Sequence, residues 1–108
     1  MAAMLVYVTC GNAEEAERIA RAAVGERLAA CANILGAVRS LYWWQGKQEE
    51  GEETALILKT RDDLVAALVA RIKTLHGYAV PGISAFPIAS GNPDYLAWIA
   101  AETQPAPR

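Results

Sequence analysis

Between Leu28 and Trp44 the chain reads LAACANILGAVRSLYWW, uncharged except for Arg39. It shows no clean 3.6-residue period, so it cannot be an amphipathic helix and reads as one long strand, bent or bulged at Gly36. Under strict alternation Ala30, Ala32, Ile34, Val38, Tyr42 and Trp44 point one way. Cys31, Leu35, Ala37, Leu41 and Trp43 point the other, so neither face is polar. Two further strands repeat the pattern. In TALILKT (54–60), Leu56 and Leu58 alternate with Ala55 and Ile57; in ISAFPIA (83–89), Phe86 and Ile88 alternate with Ile83 and Ala85. An antiparallel sheet with helices on one face usually solvates the other through alternate polar residues. This one has none to offer. A lone subunit would expose more apolar surface than the few hundred Å² usual for a soluble protein, and covering it is worth about 25 cal/mol per Å². The first expectation is therefore self-association through the sheet.

The remaining segments supply the partners of these strands. MLVYVTC (4–10) is a strand that ends at Gly11, where Asn12 and Glu15 have the spacing of a capping box. Ala16, Ile19, Ala20, Ala23 and Val24 recur at helical spacing up to Gly25. QGKQEEGEE (45–53) reads as a charged turn that closes a long hairpin. Thr60 and Asp63 suggest a second capping box, ahead of a helix lined by Leu64, Leu68, Ile72 and Leu75. That helix stops at His76, with Gly77 as a left-handed C-cap. Pro87 favours an edge strand, and Asn92-Pro93 opens a short terminal helix. The order is β-α-β-β-α-β plus a helix. It defines an α+β, ferredoxin-like antiparallel sheet with an extended β2–β3 hairpin. Residues 1–103 form a single domain and 104–108 a flexible tail.

Charge and motifs narrow the function. Ten Lys and Arg against twelve Asp and Glu give a net charge of −2, which lacks the basic footprint of a nucleic-acid partner. No apolar run reaches bilayer length, and Met1–Cys10 has no basic n-region, so neither a membrane nor a signal peptide is expected. Two cysteines are too few for a secreted disulfide scaffold, and the expected compartment is the cytoplasm. A single His, no GxSxG and no phosphate loop argue against an enzyme. His76, Cys10, Cys31, Met1, Met4 and the carboxylates are the candidate ligands for a borderline or soft cation, without any local chelating motif. Cys10, at a strand end, is the better placed of the two thiols. Tyr42-Trp43-Trp44 suits interface packing, and Lys59 either snorkels to the surface or meets an anion in a cleft.

Several motifs in order carry a family likeness: VTCGNAEEAERIA (8–20), LAACANILGAVRSLYWWQGK (28–47), ILKT (57–60), LHGYAVPGI (75–83) and GNPDYLAWI (91–99). The chain resembles the CutA family of divalent-cation tolerance proteins over nearly its whole length. The resemblance implies a ferredoxin-like subunit in a stable homotrimer, similar in architecture to the PII signalling proteins, with a link to copper tolerance and Cu(II) binding. It places His76 on the histidine of the family's HPYE-type motif. Trp44, Gly46 and Lys47 match the hairpin motif, and Lys59 matches the KT strand end. Gly77 replaces a proline, Ala79 and Gly82 replace glutamates of many members, and Val8 stands where some carry a metal-linked cysteine. The expected function is thus a trimer binding Cu(II) or a similar divalent metal through His76, with Cys10 as second ligand. The alternatives are a PII-like regulator taking a small anion or nucleotide between subunits at Trp44 and Lys59, and a ligand-free scaffold trimer.

Overall fold

The computed structural model describes residues 2–105; Met1 and the last tail residues, 106–108, lie outside them. The elements are β1 (Ala3–Cys10), α1 (Ala13–Gly25), β2 (Cys31–Trp44), β3 (Lys47–Arg61), α2 (Val65–Leu75), β4 (Ile83–Pro87) and α3 (Pro93–Ala101), with a 3₁₀ turn at Asp62–Leu64 ahead of α2. The sheet order is β2-β3-β1-β4. Every neighbouring pair is antiparallel. This is the ferredoxin-like α+β arrangement, with Pro87 on the edge strand.

Residues that face each other across a ladder share a face of the sheet. Val6 pairs with Leu58 and Val8 with Leu56. All four are fully buried, in one core with Ile19 and Ala23 of α1 and Leu68 and Ile72 of α2. The helices therefore cover this face. On the opposite face Cys31 pairs with Lys59. Tyr95 of α3 reaches both, its hydroxyl 3.6 Å from the Cys31 sulfur and its ring 5.8 Å from the Lys59 Nζ. The terminal helix so covers only the Lys59 end of the second face. Phe86 stays 52% exposed on that second face, and on the helix side, beyond the reach of α1 and α2, Leu41 and Trp43 stay 64% and 74% exposed on the single chain.

Local chemistry differs from the sequence reading in four places. First, the hairpin turn is only Gln45-Gly46, both at positive φ (50° and 80°), and the charged segment from Lys47 onward is strand. Such a turn matches the right-handed twist of its strands, so the ladder continues to the tip whatever the charge of the side chains. Second, Leu35 has no partner between the Ile34–Leu56 and Gly36–Ala55 pairs, which puts the expected bulge at Gly36 (φ 106°). The inserted residue reverses the alternation. Ala32 and Ile34 face the helices, whereas Val38, Tyr42 and Trp44 lie on the opposite face with Glu53, Glu49 and Lys47. Third, Thr60 caps nothing: its hydroxyl donates to the Leu28 carbonyl, while Asp63 pairs with Arg61. Fourth, α2 ends with His76 in extended backbone (φ −85°, ψ 140°), and Gly77 is not left-handed. The terminal helix starts as expected, with Asn92 Oδ1 accepting from the Asp94 N–H. Gln104, placed in the tail, hydrogen-bonds Arg27 and Glu26 through its backbone and side chain.

Candidate metal centre and an adjoining cavity

Three elements end at one corner of the sheet: β1 at Cys10, the first turn of α1 at Glu15, and α2 at its cap residue His76. Their ligand atoms all lie within 4.8 Å of one another, and all three residues are buried. Cys10 continues the Val6–Val8 alternation into the core and is fully buried, not exposed as a strand end suggests. Burial pushes its thiol up to about 11, helped by the negative charges of Glu15 and Glu53. Burial also works against an ionised Glu15. Backbone N–H groups outweigh it: Gly11 donates to Oε1 and Gly77 to Oε2, each at 2.9 Å, and the carboxyl sits below its ordinary range. Asn12 accepts from the Glu15 N–H at 2.8 Å, which completes one half of the expected capping box. In the other half, Glu15 reaches Gly11 and Gly77 instead of Asn12. The Gly77 bond depends on that residue not being proline, which has no N–H. A Cβ at Gly77 would stand 3.0 Å from Oε2.

His76 is held by backbone on both sides. Nε2 is 2.8 Å from the Thr9 carbonyl, which can only accept, so Nε2 carries the proton. The Tyr78 N–H then donates to Nδ1 at 3.1 Å, and Glu15 Oε1 stands 3.4 Å from the same nitrogen. A thiol, a carboxylate and an imidazole form a donor set suited to a borderline divalent cation. To coordinate one, Cys10 must lose its proton and Nδ1 must release the Tyr78 N–H. Cys31, the other thiol, lies at Tyr95, away from this corner.

Trp44 and Lys59 do not meet within one chain. Trp44 pairs with Lys47, and Lys59 is twelve residues further along β3, about 40 Å by strand rise. Lys59 donates one of its hydrogens to Asn33 Oδ1 at 2.8 Å, with its Nζ 5.8 Å from the centre of the Tyr95 ring. Trp44 lines a cavity of about 560 Å³ with Tyr42, Ser40, Glu53, Thr9 and Tyr78. Tyr78 donates its hydroxyl to Glu53 Oε2 at 3.0 Å; burial, then this carboxylate, pushes the phenol up to about 12. Glu15, Glu53 and Tyr78 were not singled out from the sequence. Glu15 was hidden by its capping spacing, and Tyr78 by its place in a loop.

Together, a ferredoxin-like sheet with large exposed apolar side chains and a buried corner where Cys10, Glu15 and His76 could hold a metal ion define a small α+β protein. The model of the family described as CutA1 divalent ion tolerance protein matches residues 4–102. The chain belongs to that family. A divalent-cation tolerance protein CutA from Pyrococcus horikoshii is 46% identical over 101 residues, covering 94% of this chain and 98% of that one. A chloroplastic CutA 1 from rice (Oryza sativa subsp. japonica) is 44% identical over 101 residues; the match covers 94% of this chain and 57% of the relative, little more than half its length. The crystal structure of CutA1 from Oryza sativa superposes with a TM-score of 0.93 at 42% identity, covering 96% of this chain and 95% of that one. Among the described residues no helix is long and apolar enough to cross a membrane.

Proposed function

We propose that this protein is a cytoplasmic, non-enzymatic homotrimer that binds a divalent cation, Cu(II) first among them. His76 Nδ1 is the leading ligand, Cys10 Sγ the second, and Glu15 the carboxylate that completes the set. The observation that carries the reading is the convergence of these three donors in one buried corner. Affinity is weak at neutral pH, because the ion must displace the thiol proton and break the Tyr78–Nδ1 bond, and binding releases a proton. The trimer is supported by the half-bare sheet and the family likeness, and the compartment by two thiols with no disulfide. With Lys59 engaged by Asn33 and a carboxylate in the Trp44 cavity, a small-anion or nucleotide site at these residues gains no support from the geometry.

Native mass measurement with and without Cu(II), under anaerobic conditions, tests assembly and loading together. The expected result is a mass of three subunits that takes up copper, with His76→Ala weakening uptake about tenfold or more. Cys10→Ser is expected to remove the thiolate-to-copper absorption band. Unchanged affinity in His76→Ala removes the site assignment, and a single-subunit mass at micromolar concentration removes the assembly.

A further inference from the structure

The cavity beside the metal corner has a lining of its own kind. On this face Ser40 pairs with Gly51, and the neighbouring pairs are Val38–Glu53 and Tyr42–Glu49. A pair with one small side chain and one absent makes a depression between large neighbours. Ser40 is the member of this pair that lines the cavity, while the Tyr42 hydroxyl lies over Gly51, 3.8 Å from where a Cβ would stand. Tyr42 and Trp44, two residues apart on the same face, form one wall. Tyr78, tied to Glu53 and packed on His76 at 4.7 Å between ring centroids, forms the other.

Among the described residues, Glu53 is the only charged one in the lining. Across the ladder from the two β2 aromatics stand Glu49 and Lys47, so carboxylates outnumber cations around the mouth. Aromatic faces carry a negative quadrupole and attract cations, Trp most strongly. They offer no lone pairs to a metal ion, and the single carboxylate already accepts the Tyr78 hydroxyl. About 560 Å³ is within the range of small-molecule pockets.

We propose that the cavity between the Tyr42–Trp44 wall and Tyr78 is a binding site for a small organic ammonium ion, held over the aromatic faces and neutralised by Glu53. The proposal does not depend on a metal at His76.

The test titrates the full-length protein, in its native assembly, with choline and with its neutral isostere 3,3-dimethylbutan-1-ol, read by calorimetry and by tryptophan fluorescence. Choline is expected to bind with a dissociation constant below the millimolar range, and the isostere about tenfold more weakly or worse. Glu53→Gln, which keeps an acceptor for the Tyr78 hydroxyl, is expected to weaken choline about tenfold while sparing the isostere. Ser40→Leu fills the floor from a residue that lines the cavity, and is expected to abolish binding of choline with the circular dichroism unchanged. Equal affinity for the two probes would show a merely apolar hollow and overturn the proposal. So would choline binding that survives Ser40→Leu, or no choline binding up to several millimolar, as expected if a second copy of the chain fills the cavity.

Discussion

The β2–β3 ladder carries large apolar side chains on both sides of its bulge, and they meet opposite fates. Below the bulge, Leu56 and Leu58 are fully buried against α1 and α2; above it, Leu41 and Trp43 are 64% and 74% exposed. Length explains the difference. β3 has 15 residues, about 50 Å of strand, whereas the 13 residues of α1 make a rod of about 20 Å. Two such helices cannot roof a ladder more than twice as long. Burial in the lower half is thus supplied within the chain, and in the upper half the single chain does not supply it. An apolar strand residue identifies a surface that needs covering, but not what covers it.

The contrast can be tested from its strongest point outward. Leu58→Ala is expected to destabilise the folded chain by about 3 kcal/mol, because the closed core cannot collapse around the lost volume. Leu41→Ala is expected to leave that core intact and to act only on the concentration dependence of the native mass. Denaturant titration and sedimentation of both variants check this; comparable losses of intrinsic stability would erase the distinction between the halves.

The corner at Glu15 offers a narrower probe. Its carboxyl is held below the ordinary value of 4.5 in the folded state, so the stabilisation is present above that pH and lost as pH falls through the folded value. Glu15→Gln is expected to be less stable by about 2 kcal/mol at pH 7, the scale of hydrogen bonds to a charged group. The deficit should shrink steadily on acidification below pH 4.5 in urea titrations. A deficit independent of pH would mean that shape, not charge, holds the corner.

The smallest effect is expected in the upper half. Arg39 and Glu50 pair on the far side of the hairpin, with side chains 75% and 53% exposed. Arg39→Ala should change stability by less than about 0.5 kcal/mol in thermal unfolding, as exposed pairs do. A larger loss would show that the overhang is already structured by contacts within the chain.

Much of this architecture is readable from residue patterns. The strands, both long helices, the bulge at Gly36 and the Asn92 cap follow from alternation, helical spacing and backbone preference. The misreadings share one cause, that local signals were outvoted by partners distant in sequence. The charged run after Gln45 looked like a turn, yet it is strand because β2 lies beside it. Thr60 has a capping residue's chemistry, but Leu28 claims its hydroxyl. Gly77 resembles a helix terminator, while its N–H serves Glu15, 62 residues away in sequence. For the candidate corner, residue type singled out His76 and Cys10, and the family resemblance pointed to His76. Glu15 and Tyr78 needed the fold, since nothing in their spacing distinguishes a ligand or a cavity wall from a cap and a loop.

One peptide group stands between the two sites. The N–H of Tyr78 occupies the only lone pair of the His76 ring, while the side chain of the same residue walls the cavity. Any ion that takes Nδ1 evicts this donor and loosens the wall; anything that braces the wall defends the donor. If the proposed metal and the proposed ammonium ion both bind, the corner and the cavity are joined by a thermodynamic seesaw with a single amide as its fulcrum, each ligand weakening the other by the same factor.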